Sequence, residues 1–399
     1  KPDRMKKRME TEREAGGQKE LSIYIHIPFC LKKCNYCDFL SFPATEAERE
    51  VYLQALLQEI DQQASEYTDY QVKTIFLGGG TPSLLSEQQA DAILDRLNLR
   101  FPLGNSVEIT LEANPGTVDG ERLKGYRRVG INRLSIGVQS LQNQELDLLG
   151  RIHTATDFYR IYQEARSADF SNINVDIMAA LPGQKKAAYR ETLLQVSQMK
   201  PEHISVYSLM IEEGTPFWKE YGDSAAGREL LPSEEEEREM DAETEYFLES
   251  QGYRRYEISN YAKEGWECQH NLAYWKRNNY AGFGLGAASM VQNIRWKNTS
   301  SMADYLADAG RGGDLLHCQI QRLSQEEQME EFMFLGLRLP RGVSIKEFER
   351  LFGRTMEQVY GKVIKRLRQQ GLVVMDEYLA LTSYGRDISN YVMAQFLFS

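Results

Sequence analysis

Six short apolar runs follow one another between residues 21 and 210, and each is separated from the next by a segment of helical periodicity. They span 21–27, 72–77, 107–112, 133–138, 173–178 and 204–209. Between the first two, Leu53, Leu56, Leu57 and Ile60 are spaced to share one helical face. Strands joined by helices of this length pair in parallel, because the crossover carries the chain back to the same end of the sheet. The expected architecture is α/β, a partial (β/α)6 barrel of the TIM-like kind. A small α+β domain follows it.

In such a barrel, chemistry gathers where the strands end and the βα loops begin. Cys30, Cys34 and Cys37 follow the first run, and Gly78-Gly79-Gly80-Thr81-Pro82 follows the second. Glu112 ends the third, Gln139 follows the fourth, and Asp176 lies within the fifth. One rim therefore collects three thiols, a glycine loop, two carboxylates and an amide. The glycine loop lets backbone approach a ligand closely, because glycine has no Cβ.

An odd number of clustered cysteines excludes a simple set of disulfides, and a structural zinc wants a fourth ligand. Three thiolates on one loop suit an iron–sulfur cluster with one iron left open. A zinc knuckle completed by His26 is the alternative. Lys32 and Lys33 are placed to offset cluster charge, and Phe29, Tyr36 and Phe39 to shield it. The other two of the five cysteines, Cys268 and Cys318, are distant, so a reducing, cytoplasmic compartment is expected. The net charge of −11 disfavours a nucleic-acid partner. No run of apolar residues is long enough to span a membrane. Residues 1–20, with Lys6-Lys7-Arg8 and Glu10, Glu12 and Glu14, read as a charged leader and not a signal peptide.

The expected domain layout is a leader (1–20), the barrel (21–210), an irregular extension (211–300) and the C-terminal domain (301–399). The extension holds an acidic helix capped by Ser233, a strand over 253–258, the segment Cys268-Gln-His-Asn-Leu-Ala-Tyr-Trp275, and Gly282-Phe-Gly-Leu-Gly286. His270, beside Asn271, Tyr274 and Trp275, is either an axial ligand for haem or a hydrogen-bonded structural residue. Cys268 reads as a buried apolar residue. The glycine run lacks the strand and helix that a dinucleotide site requires. In the C-terminal domain, helices over 326–337 and 344–352, a third carrying Met356, Val359, Val363 and Leu367 on one face, and a hairpin turning at Asp376-Glu377 make a winged-helix pattern. Lys362, Lys365, Arg366 and Arg368 read as a solvated face.

The three cysteines are spaced C-x3-C-x2-C, which resembles the signature of radical S-adenosylmethionine (SAM) proteins. Together with Tyr24-Ile-His-Ile-Pro-Phe-Cys30, the GGGTP segment, Leu111-Glu112-Ala-Asn-Pro115, Leu134-Ser-Ile-Gly-Val-Gln-Ser140 and Asp176, the chain resembles the family that contains oxygen-independent coproporphyrinogen III oxidase. The resemblance covers residues 21–395. It implies a [4Fe-4S] cluster on Cys30, Cys34 and Cys37. It also implies a SAM site drawn from Tyr24, Tyr36, Gly79, Gly80, Thr81, Glu112, Gln139, Arg151 and Asp176. Within the family the chain is more similar to haem chaperones. Phe39 stands where the oxidase has a fourth cysteine, the cluster is reached by residue 30, and His270-Asn271-x-x-Tyr274-Trp275 is the segment linked to haem. The implied function is delivery of haem to haem proteins, respiratory ones included, with radical decarboxylation of coproporphyrinogen III as the alternative. An electron donor, a homodimer and transient contact with a membrane surface complete the expectations.

Overall fold

The computed structural model describes residues 19–311 and 315–398. The expected leader lies outside these up to residue 18, and Lys19 and Glu20 already begin the first strand. All six expected strands form: β1 (Lys19–Ile27), β2 (Tyr70–Gly79), β3 (Leu103–Ala113), β4 (Arg133–Gln139), β5 (Ile173–Ala179) and β6 (His203–Ser208). They are parallel and adjacent in chain order. Side chains alternate along each strand. On β4, Leu134, Ile136 and Val138 are fully buried in the main hydrophobic core, while Arg133, Ser135, Gly137 and Gln139 face the interior cavity. Residues of all six strands line that one cavity, so the sheet curls around it.

Helix starts follow local chemistry. Thr45, Ser86 and Thr154 close capping boxes at the helices Glu46–Gln63, Glu87–Arg100 and Ala155–Ser167. Ser233 does the same for the acidic helix Glu234–Ser250, whose first turn of four glutamates suits a helix N-terminus.

The extension departs from expectation. The strand expected over 253–258 shrinks to β7 (Arg254–Arg255), which pairs with β8 (Asn260–Ala262), and β8 runs antiparallel to β6. On the other edge, β9 (Tyr280–Phe283) pairs parallel with β1. It continues through β10 (Ala288–Val291) and β11 (Ile294–Asn298) to β12 (His317–Arg322). The glycine run is explained by close approach. A Cβ on Gly284, at φ +99°, would lie 2.5 Å from the Tyr52 hydroxyl and 2.7 Å from the His26 carbonyl. Its N–H donates to buried Glu59 at 2.8 Å.

The C-terminal domain was expected from 301. However, the helix Met302–Asp308 packs through Tyr305 into the main core, and β12 belongs to the large sheet. A second core begins at Met329. It gathers the helices Gln325–Gly336, Ile345–Phe352 and Met356–Gln369 around the sheet β13 (Val343–Ser344), β14 (Val373–Met375) and β15 (Tyr378–Leu381). On the third helix the fully buried face is Met356, Tyr360, Ile364 and Leu367, with Val359 and Val363 at its margin.

Charge holds this domain to the barrel. Glu331, 4% exposed, accepts from Arg277 Nε at 2.9 Å and also from Arg295. Arg338 lies 4.3 Å above the Trp275 ring and pairs with buried Glu257 at 3.4 Å. Removing one partner of a buried ion pair leaves its counter-charges uncompensated. Glu331→Ala is therefore expected to cost about 3 kcal/mol, read from the urea midpoint at unchanged slope. A loss below about 0.5 kcal/mol would mean that Arg277 and Arg295 are solvated in the native state.

Candidate functional site

The cysteine loop leaves β1 and is pinned by its backbone. Cys30 N–H donates to Phe42 O (3.1 Å) and Phe42 N–H to Pro28 O (2.9 Å). Asn35 donates its N–H to Leu149 O (3.0 Å) and its side-chain amide to Leu148 O (2.9 Å), and Asn35 O accepts from Phe217 N–H (3.0 Å). The three thiols, all free and half-buried, line one end of a cavity of about 690 Å³. Every residue expected from the sequence lines the same cavity: Tyr24, Cys30, Cys34, Tyr36, Cys37, Gly79, Gly80, Thr81, Glu112, Gln139, Arg151, Asp176 and His270. Of the expected shields, Phe29 is buried against Phe42 and Tyr52, whereas Phe39 is 64% exposed and shields nothing.

Arg151 reaches Cys34 Sγ at 3.6 Å and donates to Gly137 O at 2.6 Å. Burial pushes the Cys37 thiol up, with Cys34 and Cys30 adding to the effect. Three thiols near one guanidinium and two lysines make a donor set that suits a cluster of net negative charge. The zinc alternative finds no support. Both ring nitrogens of His26 are engaged, Nδ1 with the Tyr24 hydroxyl (3.0 Å) and Nε2 with Leu40 O (2.9 Å). Among the described residues, no three His, Cys, Asp or Glu side chains gather for a single ion. Thiolates that each hold a different iron of a cluster need no such convergence.

The glycine loop is tightly fitted. Gly79, at φ +125°, donates its N–H to Glu112 Oε2 at 3.0 Å. A Cβ on Gly80 would stand 2.9 Å from Phe29 O and 3.1 Å from Cys30 Sγ. Gly80→Ala is expected to displace the cysteine loop, lowering iron content per chain and costing about 1–3 kcal/mol of stability. Full iron content with an unchanged urea midpoint would show that the loop yields freely.

Asp176 accepts from Ser135 Oγ (3.0 Å) and Asn174 Nδ2 (2.8 Å), and burial raises its carboxyl. Glu112 is pushed up to about 8, first by burial and then by Asp176. Gln139 sits at φ +68°, a strained conformation for a side-chain-bearing residue and one common at ligand sites. Sequence reading missed Arg133, Asn174, Ser205, Tyr207 and Met210, which also line the cavity. The inward alternation of β4, β5 and β6 could have identified the first three.

His270 belongs to the helix Gln269–Trp275, which packs against β2 and lines the cavity with His270, Asn271 and Tyr274. Glu108, midway along β3, caps this helix by accepting from Gln269 N–H and His270 N–H, both at 3.1 Å. The imidazole stacks on Phe76 at 5.0 Å. Its Nδ1 lies 2.8 Å from Thr74 Oγ1 and its Nε2 3.1 Å from the Tyr274 hydroxyl. Only 1% of the residue is exposed, and burial followed by the Arg133 charge pushes it down to about 3. In this structure it is a neutral, hydrogen-bonded wall residue. Cys268 is fully buried beside Glu108, and Cys318 is half-buried on β12.

A parallel barrel with a three-cysteine loop after its first strand is the architecture of radical SAM proteins. Residues 24–196 match the radical SAM superfamily, and residues 323–388 match the HemN C-terminal domain. The fold is shared with coproporphyrinogen III oxidase (HemN) from Escherichia coli. That likeness has a TM-score of 0.80 at 23% identity, covering 95% of this chain and 90% of the oxidase. The heme chaperone HemW of Bacillus subtilis is 38% identical, covering 94% of this chain and 99% of that protein. HemW of Escherichia coli is 34% identical over 94% of this chain and 98% of its own length. The chain belongs to the HemW family of haem chaperones.

Proposed function

We propose that this protein holds a [4Fe-4S] cluster and SAM in the barrel and carries haem to haem proteins. The observation that carries this reading is near-complete coverage of the HemW relatives, with the thiols, glycine loop and acidic residues meeting in one cavity. Cys30, Cys34 and Cys37 hold the cluster, and Arg151 balances its charge. Gly79, Gly80 and Thr81 offer backbone to the methionyl end of SAM, while Tyr24, Tyr36, Gln139, Glu112 and Asp176 take its polar groups. When bound, the cluster and SAM together supply one-electron chemistry, for which the protein provides orientation and shelter from water. Burial and the Asp176 charge raise the Glu112 carboxyl, and a ligand ammonium or ribose hydroxyl beside it would favour the ionised form.

The oxidase is the second reading, favoured by the shared fold. The exposed Phe39, where the oxidase has a cysteine, weighs against it. Cytoplasmic placement, an electron donor, a homodimer, transient membrane contact and respiratory acceptors belong to the chaperone reading. None of the described helices is long and apolar enough to cross a membrane.

The deciding experiment is anaerobic cluster reconstitution followed by haem titration, with SAM and coproporphyrinogen III turnover assayed on the same sample. Stoichiometric haem uptake without turnover is expected. Turnover without tight haem binding would make the protein an oxidase. His270→Ala tests the histidine, since haem bound with unchanged affinity and spectrum would remove it as a ligand.

A further inference from the structure

Haem is a flat apolar ring with two carboxylates and an iron that takes His, Cys, Met or Tyr as axial ligand. The following rests on the haem-chaperone reading and concerns where the ring lies. The chain has five histidines. His26, His153, His203 and His270 are buried. His203 lies 2.6 Å from Asn174 Oδ1 and 2.8 Å from the Tyr256 hydroxyl, and His153 Nε2 bonds Val138 O at 3.2 Å. His317 is half-buried on β12, outside the cavity lining, with Nε2 3.2 Å from Gln63. No imidazole is therefore presented to a ring entering from the open side of the barrel.

The mouth presents other groups. Met210, just beyond β6, is 70% exposed and lines the cavity, as does Phe39 at 64%. Leu31, on the cysteine loop but outside the cavity lining, is also exposed, at 54%. Large apolar side chains left this open beside a cavity mark a site for an apolar partner. Lys32 and Lys33 line the same lip. Lys33 Nζ donates to Phe39 O at 2.9 Å, and Lys32 makes no hydrogen bond or ion pair among the described residues. Asp38, on the same loop as the lysines, and Glu212, beyond β6, also line the cavity; an anionic edge would turn toward the paired lysines and away from both carboxylates. At about 690 Å³ the cavity is within the range of about 300–1,000 Å³ that holds one small-molecule ligand. With the cluster and SAM inside, a macrocycle has room only across the opening.

We propose that haem lies across the mouth of the barrel, with Met210 Sδ as an axial ligand, Phe39 against the ring, and Lys32 and Lys33 facing the propionates. The test uses the full chain with its cluster reconstituted and its iron and sulfide content verified, titrated with ferric haem. Met210→Leu is expected to remove the sulfur-to-iron charge-transfer band and weaken binding about tenfold. Met210→His should restore affinity with a nitrogen-ligated spectrum, and His317→Ala should behave as the native chain. Lys32→Glu/Lys33→Glu should weaken haem about tenfold while leaving the iron porphyrin dimethyl ester unaffected, because the ester has no carboxylates. Native spectrum and affinity in both the Met210→Leu and the double-lysine variant would overturn the docking site and leave the chaperone reading intact. Failure of the native chain to take up haem would overturn that reading, and the docking site with it.

Discussion

Replacing any one of Cys30, Cys34 or Cys37 with alanine is expected to abolish the cluster. The three thiols are the whole protein-derived ligand set on that loop, and a four-iron cluster ordinarily uses four thiolates. A chain that begins with three has no spare, since Cys268 is buried against Glu108 and Cys318 sits on β12 beside Asn298 O. The fold should survive. The loop is held by backbone bonds from Cys30 and Asn35 and by the Phe29–Phe42 bridge, none of which uses a thiol. Iron should fall from about four atoms per chain to near zero, and the brown absorbance should vanish, at unchanged far-ultraviolet circular dichroism. A single variant that kept about four irons would remove that cysteine from the ligand set.

Glu112→Gln is expected to stabilise the cofactor-free chain by about 3 kcal/mol at pH 7, and by almost nothing near pH 4.5. The Glu112 carboxyl is raised from an ordinary 4.5 to about 8, by burial first and by the Asp176 charge second. A group whose folded pKa lies above its unfolded one contributes stability that is complete below the unfolded value and is lost as pH rises toward the folded one. Across that window the folded chain holds a proton that the unfolded chain releases, at about 1.4 kcal/mol per pH unit. Glutamine removes this linkage, and its amide oxygen can still accept from Gly79 N–H. The buried histidines carry the opposite sign, since burial lowers their pKa values, but they are common to both chains and cancel in the difference. Urea midpoints of the two proteins between pH 4.5 and 8 measure the effect. A stability difference that does not change with pH would mean that Glu112 is already ionised in the folded state. The same substitution should weaken SAM binding, so the site keeps a carboxylate at the expense of stability.

The candidate site was legible as one cavity because its residues stand in short local motifs at strand ends. The spacing of Cys30, Cys34 and Cys37, the glycine loop after β2, and Glu112 and Asp176 each announce themselves within a few residues. A parallel barrel brings all strand ends to one face, which suffices to assemble them. Arg133, Asn174 and Ser205 were harder, because an inward polar residue in a strand reads like any other until the sheet is seen to curl. The helix Met302–Asp308 and the strand His317–Arg322 were grouped with the C-terminal domain, whereas they pack with the barrel. A seven-residue helix and an edge strand carry too little periodicity to show which core they join. Phe39 was expected to shield the cluster, and nothing in a sequence distinguishes a packed phenylalanine from one at an open lip.

The sequence by itself determined the six parallel strands, the cysteine loop, the glycine loop and the acidic pair, because alternation, turn chemistry and thiol spacing are encoded over neighbouring residues. Only the tertiary structure decided what His270-Asn-Leu-Ala-Tyr-Trp275 does. Its helix is held by Glu108 from β3, Thr74 and Phe76 from β2 and Arg338 from the C-terminal domain. Those contacts join residues more than sixty positions apart, and they leave the imidazole buried with both nitrogens bonded. Whether a side chain is a ligand or a wall depends on which partners reach it first, and that is settled by packing between distant segments.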